Sequence, residues 1–268
     1  MRKYAVIYRS VLMENLQYAA DIALGFISYF IFVFVLVNLW GYMYSVPGYA
    51  DAGTRIAGYT KEQMIWYVII TEMLHFSAQS QAVSGQVSMD IRSGNIAYLM
   101  NRPYYYPFYI LARYTGEWNV RLPMYVTLAV GVGVAAAGRL PGFGLFALLV
   151  SAVSILLGIT INGVFKVCIS LIAFWVEDAN PFHWLYDKMI LIVGILFPIE
   201  VFPRAVWPLL KFTPIYTVCY DPAKLAVDFH ADAYPEILLA QLLYLAAGCG
   251  LMFFIYGKGV RKLYVNGG

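Results

Sequence analysis

The apolar stretch IALGFISYFIFVFVLVNLWGYM, from Ile22 to Met43, decides the fold class of this chain. It contains no charged residue, and a tryptophan and a tyrosine stand near its end. About 20 apolar residues are enough for a helix to cross the roughly 30 Å hydrocarbon core of a bilayer, and Trp and Tyr gather at the membrane–water interface. The stretch therefore predicts a membrane-spanning helix.

The composition extends this prediction to the whole chain. Of the 268 residues, 62% are hydrophobic and 12% are charged, whereas an ordinary soluble domain has about 25% charged residues. We find no linker-like segment and no internal repeat, so residues 1–268 are expected to form a single transmembrane domain. The net charge of +3 comes without a basic run, so nucleic acid is not an expected partner and the lipid bilayer is.

The pattern along the chain predicts an all-α polytopic membrane protein with six transmembrane helices. Before the first crossing, Tyr4 to Ala20 has apolar residues on one helical face and is expected to lie in the interface. Tyr109 to Glu117 is also expected to be interfacial. Lys and Arg are in modest excess on the side of the two termini, so both termini are predicted to be cytoplasmic. Four of the other crossings are predicted at 64–83, 120–137, 145–175 and 237–256, the one at 145–175 being either a long helix or one broken near Gly163. The apolar run from Met189 to Phe197 is too short to span the bilayer alone.

The longest polar interruption in the first half is SGQVSMDIRSGNIAYLMNRPYYYP, from Ser84 to Pro107. It combines one acid and two bases with small residues, and it lies between two apolar segments. Such a loop suits a surface on which a partner outside the membrane binds. A plain solvated connector is the alternative, and the spacing of the residues leaves both open.

Three polar residues in the second predicted crossing, Glu72, His75 and Gln79, have the i, i+3, i+7 spacing of one helical face. Ionisable groups inside a membrane usually face the bundle interior and mark a pathway or a partner. We therefore expect these residues to line a translocation pathway or a dimer interface, or else to pair with Lys166 or Arg121. A Glu-x-x-His spacing occurs in di-iron bundles, but such sites need a second copy, so no metal site is predicted.

The segment PIEVFPRAVWPLLKFTPIYTVCYDP, from Pro198 to Pro222, cannot form one regular helix, because each proline removes a backbone donor and clashes with the preceding turn. Non-helical backbone at membrane depth needs protein or water around it. We predict a re-entrant outer hairpin that includes Pro198, Glu200 and Pro203. An amphipathic outer loop on the interface is the alternative. Glu200 would gate the outer exit or reach the surface, and we favour the surface.

These features occur in an order that resembles the membrane subunit of ABC exporters of the type-2 permease class. MDIRSGNIAYLMNRPYYYP is similar to that family's loop after the second span, with Ile-Arg-x-Gly followed by Arg-Pro. FWVEDANPFHWLY and GILFPIEVFPRAVWPLLKFTPIYTVCYDPAKL resemble its later block, in which a Phe-Trp turn precedes a Phe-Pro hairpin. The likeness covers nearly the whole chain and carries no information on the substrate.

The resemblance implies a function as well as a fold. It assigns the contact with a separate cytoplasmic ABC ATPase to a coupling helix that contains Asp90, Arg92, Gly94, Arg102 and Pro103. ATP and Mg²⁺ would then bind to that partner, and this chain would hold no cofactor and no catalytic residue. A second permease chain, identical or related, would complete the pathway in the cell membrane.

Two other functions are compatible with a polytopic chain of this length. An ion-driven secondary carrier for an apolar or cationic solute would be expected to show an internal repeat. A membrane-embedded enzyme would be expected to show a nucleophile with its base, or paired carboxylates. Neither signature is found, so the sequence favours the transport subunit of an ATP-driven exporter.

Overall fold

A computed structural model describes residues 2–17, 19–46, 55–80, 82–176 and 178–266. Within these ranges the regular structure is helical, apart from one isolated β-bridge between Ile56 and Tyr59. Four helices are long and apolar enough to cross a membrane: Ile22–Met43, Tyr106–Ala137, Leu145–Phe174 and Tyr234–Lys262. The chain is therefore an all-helical membrane protein.

Eleven α-helices lie in these ranges, and short 3₁₀ or π-helical turns join some of them. The helices are α1 (Arg2–Gln17), α2 (Ala19–Met43), α3 (Lys61–Ser77), α4 (Val87–Arg92), α5 (Asn95–Met100), α6 (Tyr106–Ala137), α7 (Leu145–Ser170), α8 (Asn180–Ile190), α9 (Trp207–Lys211), α10 (Asp221–Val227) and α11 (Tyr234–Asn266).

The first helix has the amphipathic face that its sequence predicts. Tyr4, Ile7, Tyr8, Val11 and Leu12 form the buried or half-buried side of α1, whereas its charged residues lie on the exposed side. This face packs against α6, where a Cβ added to Gly116 would come within 2.9 Å of Val11. Small residues allow two helices in a membrane to approach this closely.

Helices α6 and α3 differ from their predicted boundaries, and α7 takes the first of its two predicted forms. The expected interfacial segment Tyr109–Glu117 and the third crossing are one continuous helix, α6, of 32 residues with Pro123 inside it. Helix α7 runs unbroken past Gly163 and continues into a 3₁₀ turn at Leu171–Phe174. Helix α3 has only 17 residues, and α8 has 11, so the prediction of six crossings stays a prediction.

Helix α3 lies at the centre of the bundle. From Met64 to Leu74 every residue is buried, and the helix packs against α2, α6 and α10. On α6, a Cβ added to Gly133 would lie 2.3 Å from the Trp66 ring. A capping box at Thr60 and Gln63 fixes the start of α3.

The proline-rich segment is broken, as its sequence predicts. Two 3₁₀ turns, the short helix α9 and a π-helical turn at Tyr216–Tyr220 precede α10. Part of this backbone is held by a neighbouring helix: Gln241 Nε2 of α11 donates to the Thr217 carbonyl at 2.9 Å, and also to the Ser154 carbonyl of α7 at 3.1 Å. Tyr67 donates its hydroxyl to the Gly194 carbonyl at 2.8 Å, within the π-helical turn that follows α8. Protein groups therefore satisfy irregular backbone here, as a buried site requires.

Candidate functional site

The predicted coupling helix is a pair of short helices, α4 and α5. Gly94 lies between them with a φ of 73°, in the left-handed region that glycine adopts without steric cost. The expectation of one helix from Asp90 to Pro103 is therefore wrong in detail. The turn at Gly94 lets α5 leave in a new direction, so the two helices form a small folded unit, which we call the α4–α5 unit.

Asp90 lies inside this unit and not on its surface. The residue is 6% exposed, and its carboxylate accepts a hydrogen bond from the Tyr106 hydroxyl at 2.8 Å and another from Asn95 Nδ2 at 3.0 Å. A carboxylate with two such donors is a strong local anchor. Asp90 thus links α4 to the starts of α5 and α6.

The outward face of the α4–α5 unit combines charge with apolar surface. Arg92 and Arg102 are exposed, as are the large side chains of Met89, at 66%, and Tyr98, at 57%. The guanidinium of Arg102 lies 4.4 Å from the centre of the Tyr98 ring, which is a cation–π contact. Pro103 is also exposed.

Contacts from α1, α7 and α8 hold the α4–α5 unit and the residues on either side of it in place. From α1, Lys3 donates to the Pro103 carbonyl, and the Tyr4 hydroxyl accepts from the Tyr105 amide at 2.8 Å. From the start of α8, the Ala179 amide donates to Ser88 Oγ at 3.4 Å. A force applied to α4 and α5 would therefore reach α1, α6 and α8 directly.

A third anchor lies at the end of α7. The Ser170 hydroxyl donates to the Val83 carbonyl at 2.5 Å and lies 2.9 Å from His183 Nε2. The residues that anchor the unit, Tyr4, Ser88, Tyr106, Ser170 and His183, are absent from the sequence-based site. No local pattern indicates them, because their partners are far away in the chain.

Of the three polar residues predicted to share one face of the second crossing, two lie on helix α3 and the third lies beyond its end. Glu72 is 1% exposed, and within the described residues its Oε1 has no hydrogen-bond partner. His75 lines a narrow cavity together with Asn162, Lys166 and Asp187. Gln79 lies beyond the helix, which ends at Ser77, and its carbonyl accepts a hydrogen bond from Arg121.

One of the two expected partners, Arg121, contacts Gln79. The other, Lys166, pairs with Asp187 across α7 and α8, with Nζ 2.8 Å from Asp187 Oδ1. Lys188 Nζ lies 5.8 Å from the centre of the Trp184 ring. In this ion pair the Lys166 side chain is buried and the Asp187 side chain is partly exposed, so Asp187 neutralises a lysine inside the bundle.

Glu200 is half-buried in a polar cluster, so its side chain is only partly at the surface. Its side chain is 20% exposed, and Oε1 lies 2.9 Å from Lys224 Nζ. The Tyr220 hydroxyl donates to the same oxygen, and the Tyr59 hydroxyl donates to Oε2 at 3.5 Å. Burial, followed by the charge of Glu200, raises the pKa of Tyr59 well above its usual value, so Tyr59 remains a donor.

The two neighbouring prolines of the predicted hairpin differ in position. Pro198 is buried and Pro203 is exposed. Pro198 stands before the first 3₁₀ turn and Pro203 before the second, at Arg204–Val206. They therefore set the two bends that carry the chain past Glu200.

Comparison with known proteins identifies the family of the chain. No curated protein matches the chain at significant similarity. A family model described as "ABC-2 family transporter protein" matches residues 30–267, which includes the α4–α5 unit, the Glu200 cluster and all the long helices after α2. Proteins of this family are generally membrane transport components that work with an ATPase subunit. The chain therefore belongs to the ABC-2 family of transporter proteins.

Proposed function

We propose that this chain is the membrane-spanning subunit of an ATP-driven exporter, which forms half of a translocation pathway and couples to a separate cytoplasmic ATPase. The observation that carries the proposal is the α4–α5 unit. Its exposed face combines positively charged and apolar side chains, and the unit is firmly anchored to neighbouring helices. A docking surface needs exposed side chains for contact and a firm connection to the moving helices. Both are present in helices α4 and α5 and the six residues that follow them, within 87–106.

The ATPase contact is assigned to the exposed residues of this unit. Arg92 and Arg102 offer bidentate hydrogen bonds to acidic groups of a partner, and Met89 and Tyr98 offer an apolar centre between them. Asp90 and Gly94 act differently, since Asp90 holds the unit together and Gly94 permits its turn. The sequence-based set therefore divides into residues that would touch the ATPase and residues that would shape the surface.

ATP and Mg²⁺ are assigned to the partner. The sequence contains no G-x-x-x-x-G-K-[ST] motif, whose backbone amides and lysine would hold nucleotide phosphates. A push on α4 and α5 by the ATPase would reach α6 through Asp90 and Tyr106, and α8 through Ser88. The helices on either side would then move as rigid bodies.

The remaining parts of the proposal concern the pathway. Six crossings follow if α3 and the combined length of α8 with its π-helical turn each cross the bilayer, and this would place both termini in the cytoplasm of a cell membrane. Glu72, His75 and Gln79 would then lie along the pathway or at the contact with a second permease chain. The broken segment from Pro198 to Pro222 would be a re-entrant hairpin, closed by the Glu200 cluster.

The experiment that tests the proposal is purification of the chain from its own host in a mild detergent, followed by mass spectrometry of co-purifying proteins. A stoichiometric soluble protein with a phosphate-binding loop is expected, and a similar second permease chain would show a heterodimer. Arg92→Glu combined with Arg102→Glu should lower the recovered ATPase about tenfold, the loss expected for roughly 1.4 kcal/mol of binding energy.

Arg204→Glu is the matched control, since Arg204 is an exposed base in the proline-rich segment and far from the α4–α5 unit. It should leave the recovered ATPase unchanged. If the control and the double variant lose the same amount of recovered ATPase, the assignment of the docking face is contradicted. Recovery of the chain alone, with transport driven by a proton or sodium gradient, would overturn the exporter and favour a secondary carrier.

A further inference from the structure

Two cavities lie next to each other inside the bundle, and two residues belong to the walls of both. The large cavity has a volume of about 1050 Å³, and Gln86, Met89 and Asp90 line it at the start of the α4–α5 unit. The narrow cavity has a volume of about 10 Å³, close to the smallest volume that holds one water molecule. Lys166 and Asp187 line both cavities, so their ion pair lies where the two cavities meet.

The narrow cavity continues the large one along α7. Ile159 and Asn162 line the narrow cavity, and Lys166 lines both; their spacing of three and four residues places them on one face of the helix. The narrow cavity reaches Val218 and Cys219, in the π-helical turn before α10. The two cavities together therefore lead from the α4–α5 unit, past the ion pair, to the proline-rich segment.

Polar contacts join α7 to α8 along this path. The three pairs are Ser170–His183 at 2.9 Å, Lys166–Asp187 at 2.8 Å and Asn162–Tyr186 at 3.1 Å. The middle pair is the one that lies between the cavities. Separation of α7 from α8 would break it and join the two cavities.

The wall of the narrow cavity is mainly apolar beyond the ion pair. Leu74, Ile159 and Ile190 are among its residues, and apart from the ion pair its described wall has no carboxylate, ammonium or guanidinium group. A charged solute that entered would lose its hydration without gaining a counter-charge, which costs much free energy. The wall therefore suits an uncharged solute.

The acid of the ion pair is also connected to the α4–α5 unit. The Ala179 amide, at the start of α8, donates to Ser88 Oγ of α4 at 3.4 Å. Asp187 lies eight residues further along α8, which is about 12 Å at about 1.5 Å per residue. A movement of α4 that draws α8 away from α7 would therefore carry Asp187 away from Lys166.

We propose that Lys166 and Asp187 form a gate on a passage for a small uncharged solute, which leads through this subunit from the large cavity towards the proline-rich segment. The gate is closed when the two side chains pair, and it opens when α8 moves away from α7. The inference rests on the proposed transport function, because such a gate serves a subunit whose helices are moved by a partner.

Cys219 is a natural reporter for this gate, because it lines the narrow cavity and is 2% exposed. The full-length chain, with any bound partners, is placed in nanodiscs and treated with the neutral thiol reagent 2-hydroxyethyl methanethiosulfonate. Mass spectrometry then follows the modification of each cysteine separately. Lys166→Ala removes the side chain between the cavities, and the half-exposed Asp187 that remains can stay hydrated.

Cys219 in Lys166→Ala is expected to react about tenfold faster than in the wild type, equivalent to about 1.4 kcal/mol less free energy for opening. Cys168 is the internal control, since its thiol donates to the Gly248 carbonyl of α11 at 3.6 Å and should react at the wild-type rate. An unchanged rate at Cys219, or an equal increase at Cys168, would overturn the gate.

Phe165→Ala is the matched control variant. Phe165 is the neighbour of Lys166 on α7 and lies beside Gly248 of α11, so its truncation loosens the helix packing on the other side of α7. Cys219 should then react as in the wild type. An increase as large as that in Lys166→Ala would show general loosening and would contradict the gate.

A charge reversal tests whether the ion pair itself closes the passage. Lys166→Asp combined with Asp187→Lys restores opposite charges, so the rate at Cys219 should return towards the wild-type value. A rate that stays as fast as in Lys166→Ala would show that the ion pair does not close the passage.

A charged reagent tests the class of solute. In Lys166→Ala, the cationic reagent 2-(trimethylammonium)ethyl methanethiosulfonate should modify Cys219 at least about tenfold more slowly than the neutral reagent, after division by the rate of each with a free thiol. Equal corrected rates would overturn the assignment to an uncharged solute.

The gate and the proposed function fail in different ways. Unchanged modification of Cys219 together with normal recovery of the ATPase would overturn the gate alone. Recovery of the chain without an ATPase would overturn the ATP-driven function on which the gate rests.

Discussion

The hydrogen bond between Tyr106 and Asp90 gives the sharpest stability prediction. Tyr106 is fully buried, and its hydroxyl donates to the Asp90 carboxylate at 2.8 Å. Tyr106→Phe removes the hydroxyl, keeps the ring and leaves one carboxylate oxygen without this donor. Hydrogen bonds to charged groups contribute about 1.5–3 kcal/mol, so we expect the free energy of unfolding to fall by that amount.

The measurement is equilibrium unfolding in mixed micelles with increasing SDS, followed by intrinsic fluorescence. A double-mutant cycle with Asp90→Asn isolates the pair, and an interaction energy of about 1–3 kcal/mol is expected for two contacting residues. Tyr42→Phe is the control, because Tyr42 is 71% exposed and surface substitutions usually stay within about 0.5 kcal/mol. If Tyr106→Phe behaves like this control, Asp90 does not hold the α4–α5 unit to α6.

Three further substitutions test other parts of the structure. Gly133→Ala places a Cβ 2.3 Å from the Trp66 ring, whereas Gly131→Ala meets nothing within 4 Å. Gly133→Ala should lower the free energy of unfolding by about 1–3 kcal/mol because of overpacking, and Gly131→Ala should leave it unchanged. Unfolding in mixed micelles measures both. Gly94→Ala should lower the free energy of unfolding by about 1–2 kcal/mol, because a φ of 73° is strained for a residue with a Cβ. Gly94→Asn should lower it less, because asparagine tolerates this conformation. Equal losses for the two variants would show that the turn relaxes. Glu200→Gln removes the charge at the centre of its polar cluster, so amide hydrogen exchange in residues 199–227 should become faster, while unchanged exchange would show that the ion pair does not hold this segment.

Local chemistry explains why several helices could be predicted from the sequence. The buried face of α1 follows directly from the period of an α-helix, since Tyr4, Ile7, Val11 and their neighbours point one way whatever they contact. The break after Pro198 follows from the missing backbone donors of proline. The continuity of α6 through Pro123 could not be read in this way, because neighbouring protein can satisfy a proline-disturbed helix inside a membrane.

The sequence by itself determined the fold class, the four long apolar helices, the amphipathic face of the first helix and the location of the polar loop between Ser84 and Pro107. These properties depend on the hydrophobicity and backbone preferences of consecutive residues. The tertiary structure decided the role of each polar side chain. Tyr59 and Glu200 are 141 positions apart, Lys3 and Pro103 are 100 apart, and Ser170 and Val83 are 87 apart. Asp90 is thus an internal anchor and Glu200 the centre of a half-buried cluster, because a polar group in an apolar bundle pairs with the nearest suitable partner in space.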